Sequence, residues 1–193
     1  MAAFSDVTIR EYLKSGRLSL EPYDPDMVQP ASVDVRLGRS FRVFRSHRAS
    51  AIDLRNPPED LTEEVVITED APFVIHPGEF CLGVTKEVVR VPDDVLCRIE
   101  GKSSIGRLGL IVHATAGFVD PGFEGTITLE LANLTRLPIK LYPDLPIAQL
   151  SFETLTTAAD RPYGHPDLGS RYQGQRGATA SRYAEGRWPV TSQ

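Results

Sequence analysis

Residues 101–130, GKSSIGRLGLIVHATAGFVDPGFEGTITLE, gather more distinct signals than any other part of the chain. A turn of small residues between Lys102 and Arg107 comes first, followed by an apolar run that ends at Val112. Asp120-Pro121-Gly122 is a strong turn former and predicts a hairpin. Beyond it, Thr126 to Ala132 alternates polar and apolar residues. A period of two puts Ile127, Leu129 and Leu131 on one face of a strand, and Thr126, Thr128 and Glu130 on the other.

Outward from this stretch the same cadence continues. Upstream, Phe73 begins a run that reads as β throughout. His76-Pro77-Gly78-Glu79 has Pro and Gly at the centre of a type II turn, strands run on to Val91, Pro92 to Asp94 turns again, and Val95 to Ile99 is the next strand. Downstream, Leu137 to Leu141, a turn at Tyr142-Pro143-Asp144, and Ile147 to Phe152 complete the series. Short strands with turn signals about every ten residues predict an antiparallel sandwich or barrel. Near the N-terminus, residues 5–16 read as a short amphipathic helix capped by Ser5 or Asp6, with Ile9, Tyr12 and Leu13 on one face. Leu18 and Leu20 alternate before a Pro-rich loop, PYDPDMVQP. Val33, Val35 and Leu37 alternate with Asp34 and Arg36 as in a half-buried strand, and Phe41, Val43 and Phe44 suggest another. Residues 45–71 are polar, with Pro57-Pro58 and acids from Glu59 to Asp70, and read as a loop excursion in which His47 is solvated. Residues 156–193 are poor in aliphatic side chains and by composition alone form a mobile tail.

At 193 residues the chain holds one well-buried domain. A formal charge of −5 argues against general affinity for nucleic acid, which needs a basic surface. Locally the balance reverses: between Arg98 and His113, Arg98, Lys102 and Arg107 face only Glu100, a cationic island suited to one anionic ligand. Cys81 and Cys97 lie in apolar strand-like runs without metal spacing and read as buried, inert thiols. No apolar stretch approaches a membrane span, and the expected location is the cytoplasm.

Lys102-Ser103-Ser104-Ile105-Gly106-Arg107 offers two cations, two hydroxyls and a glycine, which suits phosphate oxygens, although a solvated basic turn has the same composition. Glu130 reads either as a polar residue on the wet face of a strand or as a general acid/base on a rigid element. Asp120 and Glu130 are placed to return to one neighbourhood. His113 reads as a hydrogen-bonded core residue, and Gly117 as a close backbone approach or a bulge.

Taken in order, GKSSIGRLGL, TAGFVDPGFEG, Leu129-Glu130, LPIAQLSF and RPYG…SRYQGQRG resemble the dCTP deaminase family, which is similar in fold to trimeric dUTPases. The resemblance runs from the N-terminal helix to Arg182. It implies a mainly β, distorted barrel or jelly roll over residues 1–155 and a C-terminal arm, 156–193, that closes over the active site. It further implies a homotrimer with intersubunit sites, and dCTP and dUTP as ligands with dTTP as an inhibitor. Deamination is implied to proceed without zinc, in keeping with the lack of an H-x-E…P-C-x-x-C signature.

Carried over by position, Glu130 takes a proton from the attacking water and returns it to the ring and leaving amine. That double role calls for a partly desolvated carboxyl. Ser103 and Arg107 orient water, base and phosphates, while Lys102, Ser104, Ile105 and Gly106 extend the cradle. Asp120 meets the deoxyribose, and the backbone of Thr128, Leu129 and Glu130 meets the base. Gln149, Tyr163, Arg171 and Gln175 contact the triphosphate; Arg171 stands where most relatives have lysine. The family divides into enzymes that release dUTP and enzymes that also hydrolyse it to dUMP and diphosphate. Gly117-Phe118, in place of His-Arg, resembles the second branch, with Asp120 positioning a second water and Mg²⁺ arriving on the triphosphate instead of on protein ligands. The alternatives are a deaminase that stops at dUTP, a dUTPase without deaminase activity, and a catalytically silent nucleotide-binding trimer.

Overall fold

Ser5 opens the first element: its hydroxyl accepts from the Thr8 N–H at 3.5 Å and starts helix α1 (Asp6–Lys14). Asp6 in the first turn and Lys14 in the last suit the helix dipole, and Ile9 is the face it buries. The computed structural model that shows this describes residues 2–45, 50–54, 57–58, 60–115 and 117–183; the expectation for His47 lies outside them.

Thirteen strands follow: β1 (Ser19–Glu21), β2 (Val28–Gln29), β3 (Ser32–Arg36), β4 (Ser40–Phe44), β5 (Thr62–Val66), β6 (Phe73–Ile75), β7 (Phe80–Arg90), β8 (Val95–Gly101), β9 (Leu110–Ile111), β10 (Phe118–Val119), β11 (Glu124–Asn133), β12 (Ile139–Leu141) and β13 (Pro146–Thr154). One turn of helix, α2 (Ser103–Gly106), stands between β8 and β9. The larger sheet runs β5-β4-β7-β11-β9, with β1 also on β7; the second runs β10-β8-β13-β3-β2; β12 and β6 form a small ribbon. Leu129, Leu131 and Phe41 from the first and Val35, Cys97, Ile99, Leu150 and Phe152 from the second meet in one core. The fold is thus mainly β with a short N-terminal helix, of the jelly-roll kind the resemblance implied.

Three local expectations change. Residues 62–66 belong to no loop: β5 pairs along the whole of β4. Its acids hid it, because they serve the edge itself; Arg45 donates to Glu63 at 2.6 Å and Ser40 to Glu64 at 2.7 Å. The Asp120-Pro121-Gly122 turn closes no hairpin, since β10 pairs with β8 while β11 crosses to β7. It is a corner between the two sheets. Finally, Asp34 does not face water. It is only 7% exposed, held in place by an ion pair with Lys102.

Of the tail expected at 156–193, the described residues 156–183 are docked, and the docking is done by backbone. Tyr163 N–H donates to Pro121 O at 2.7 Å and Gly174 N–H to Glu124 O at 2.8 Å; Thr126 N–H donates to Gln175 O at 3.1 Å. Gln175 Nε2 returns to Thr126 O at 2.6 Å, which leaves Thr126 buried, against the alternation. Such close approach needs small residues beneath it. A Cβ on Gly122, whose φ is +89°, would lie 3.0 Å from Tyr163 N and O, and one on Gly125 3.1 Å from Gln175 O.

Both cysteines are free and buried. Burial, with the Glu79 charge adding, pushes the Cys81 thiol up to about 12, and burial pushes Cys97 higher. A thiol-reactive dye at mildly alkaline pH is therefore expected to label neither cysteine in the native protein and both after denaturation. Rapid native labelling would contradict the burial. Among the described residues no helix is long and apolar enough to cross a membrane.

Candidate active site

An irregularity in β11 aims the residues that matter. Register with β7 shifts between Thr126 and Thr128, which pair with Val88 and Val84. The Thr85 hydroxyl fills the missing rung, accepting from Ile127 N–H at 2.9 Å and donating to Glu87 O at 2.9 Å. Past this bulge Thr128 and Glu130 face a cavity of about 350 Å³, the size of a small-ligand site.

Phe118, Asp120, Phe123, Ile127 and His113 form its walls with those two residues, and Tyr163, Tyr172, Gln175, Thr179 and Ser181 come from the docked segment. Glu130 is half-buried. Its carboxylate accepts from Ala114 N–H at 3.2 Å and from the Thr115 hydroxyl at 3.1 Å, so it is steered from the loop after β9. Burial lifts the Tyr163 phenol above its usual range, the Asp120 carboxylate adding to the effect, so Tyr163 stands as a neutral donor; its oxygen accepts from Tyr172 N–H at 3.0 Å.

His113 does not behave as a hydrogen-bonded core residue. Both ring nitrogens are buried without a partner among the described residues, as is Gln175 Oε1. Unsatisfied polar atoms on the wall of a cavity are what a ligand would satisfy. The cavity-lining roles of His113, Tyr172, Thr179 and Ser181 had no local signal in the sequence. The only hint was a histidine closing an apolar run.

Phe118 is 56% exposed at the mouth, and the Arg98 guanidinium lies 4.3 Å from its ring centroid while donating to Glu153 at 3.2 Å. Gly117 keeps β10 tight on β8: its carbonyl accepts from Ile99 N–H at 2.9 Å, and a Cβ there would lie 3.0 Å from Ile99 O.

The chain thus brings Phe118, Asp120, Thr128, Glu130, Tyr163 and Gln175 to one cavity. Leu129 is fully buried and can offer that site only its backbone. The Lys102–Arg107 segment is not part of the cavity's wall, and neither are Gln149 and Arg171. Ser103, Ser104 and Arg107 are exposed, Arg107 donating to Ser103 Oγ at 3.3 Å, while Ile105 packs on the core. Gln149 lies opposite Glu100 in β8 and Asp34 in β3, on the rungs nearest α2. Arg171 stacks 5.7 Å from the Tyr183 ring. Within one chain the expected residues therefore fall into two groups, one around Glu130 and one around α2.

A two-sheet β protein with a strand-borne carboxylate in a ligand-sized cavity is the class that fold and site define. The dCTP deaminase-like family model matches residues 3–155, and the chain belongs to that family. It is similar to proteins named dCTP deaminase, dUMP-forming: that of Nocardioides sp. at 58% identity, and those of Kocuria rhizophila and Streptomyces coelicolor at 57%, each over 92% of this chain and 93% of the relative. Among solved structures, 2'-deoxycytidine 5'-triphosphate deaminase from Agrobacterium tumefaciens matches 79% of the chain with a TM-score of 0.62 and 26% identity. The match spans 48% of that longer chain.

Proposed function

We propose that this chain is a dUMP-forming dCTP deaminase, a hydrolase that converts dCTP and two waters to dUMP, ammonia and diphosphate. The observation that carries the chemistry is Glu130, tethered by Ala114 and Thr115 in the cavity wall on a rigid strand. Names and identities of the relatives supply the substrate.

In the first reaction Glu130 takes a proton from a water that adds to C4 of cytosine. It passes that proton to N3, then moves the proton of the new C4 hydroxyl to the amine, which leaves as ammonia as the C4–N bond breaks and C4=O forms. Backbone groups of Thr128 to Glu130 meet the base, and Asp120 meets the deoxyribose. In the second, water attacks the α-phosphate of bound dUTP, positioned by Asp120, with Phe118 against the sugar in a pocket that Gly117 keeps close to β8. Tyr163, Gln175 and Arg171 hold the triphosphate from the arm at 156–193, which closes over it.

The remaining residues come from a neighbouring copy. Ser103 and Arg107 orient water, base and phosphates, while Lys102, Ser104, Ile105, Gly106 and Gln149 cradle the tail. Exposed Leu108, Leu134 and Leu137 support an interface beside α2: each is at least 70% exposed, and Leu134 N–H bonds Gly109 O. A closed homotrimer with three such sites follows from one repeated heterologous contact.

The described residues contain no group of three His, Cys, Asp or Glu placed to hold a metal, and Asp120 is an exposed lone carboxylate. That donor set fits Mg²⁺, which keeps several waters and rides on phosphate oxygens. When bound, it neutralises charge on the phosphoryl oxygens. The free thiols suit a cytoplasmic setting.

Anion-exchange analysis of a dCTP and Mg²⁺ incubation tests the reading. The expected result is dUMP and diphosphate without accumulation of dUTP. Stoichiometric free dUTP would make the enzyme a single-step deaminase, and unchanged dCTP would remove the assignment.

A further inference from the structure

Among the described residues, Asp34 is a buried acid on the α2 side that the proposed mechanism leaves unused. It sits in β3 between Val33 and Val35, both buried, and is itself 7% exposed. Its Oδ2 lies 2.5 Å from Lys102 Nζ and 3.5 Å from Gln29 Nε2, while Oδ1 is buried without a partner among the described residues. In the sheet it stands directly opposite Gln149, which pairs on its other side with Glu100, two residues before Lys102. The carboxylate therefore touches or faces two of the side chains expected to hold phosphates.

We infer that Asp34 is a positioning residue for the triphosphate, acting through Lys102; this rests on the proposed nucleotide reading. A lysine ammonium on a four-carbon stem is a mobile point charge, and fixing it beforehand removes that ordering cost from binding. Asp34 takes one of its three N–H donors and leaves two for phosphate oxygens. Lys102 is also the residue that starts α2, so the same ion pair anchors the turn carrying Ser103 and Arg107. Separating the two would leave buried charge unpaired, so the pair holds Lys102 to one place.

The tail of the nucleotide alone should register the change. Calorimetry in a Glu130→Gln background, where dCTP is not turned over, compares dCTP with dCMP. Asp34→Asn is expected to weaken dCTP about ten-fold, the scale of one charge-assisted contact, and to leave dCMP within about two-fold. In Lys102→Met protein the added Asp34→Asn change should cost dCTP nothing further, because the two residues act as a unit. Asp34→Glu, which keeps the charge, should recover most of the affinity and serves as the test if Asn destabilises the fold. Equal losses for dCTP and dCMP, full additivity with Lys102→Met, or unchanged dCTP affinity would each overturn the inference. A failed deaminase assignment shows separately, as wild-type protein that leaves dCTP intact.

Discussion

Glu130→Gln is expected to lower dCTP deamination by about 10³-fold while leaving dCTP affinity nearly unchanged, the size of effect that a positioned acid/base supplies. The amide is isosteric and can still accept from Ala114 N–H and the Thr115 hydroxyl, so the cavity wall should persist. What it loses is the capacity to take a proton from water and return it. Ammonia release measures the step, and calorimetry with dCTP reads binding separately. Retention of more than about a tenth of wild-type turnover would mean that another group carries the proton.

The second large effect depends on assembly. Arg107→Ala alone should be nearly inactive, as should Glu130→Gln alone. Co-expressed and refolded together, the two are expected to regain activity. If Glu130 of one copy works with Arg107 of the next around a three-fold ring, every mixed trimer contains one intact site. Random mixing in equal amounts then restores about a quarter of wild-type activity. Sites built within single chains would give no recovery at all. The test is indifferent to the order of the two chemical steps, and size-exclusion chromatography with light scattering reads the trimer independently.

How far the site was legible in the sequence differs from residue to residue. Glu130 had two readings on alternation alone, wet strand face or acid/base, and the resemblance of the motifs around it favoured the second. His113 was misread, because nothing in its neighbours reveals that both ring nitrogens lack partners among the described residues. The arm was misread on composition, because backbone N–H groups of Tyr163 and Gly174 hold it, and every residue type but proline carries those. Membership of the family does not depend on these details: it rests on ordered motifs spread along the chain and on the match over residues 3–155.

By itself the sequence determined the short antiparallel strands, a helix capped by Ser5 or Asp6, the inert cysteines and the family, since periodicity, capping and turn chemistry are properties of neighbouring residues. Tertiary structure alone decided that the Asp-Pro-Gly turn is a corner between sheets, that β5 guards an edge, and that Asp34 is buried against Lys102. It also decided that the residues around Glu130 and those around α2 part company within one chain. Strand pairing, ion pairs and cavities join residues far apart along the backbone, and their energies depend on distances that no local pattern encodes.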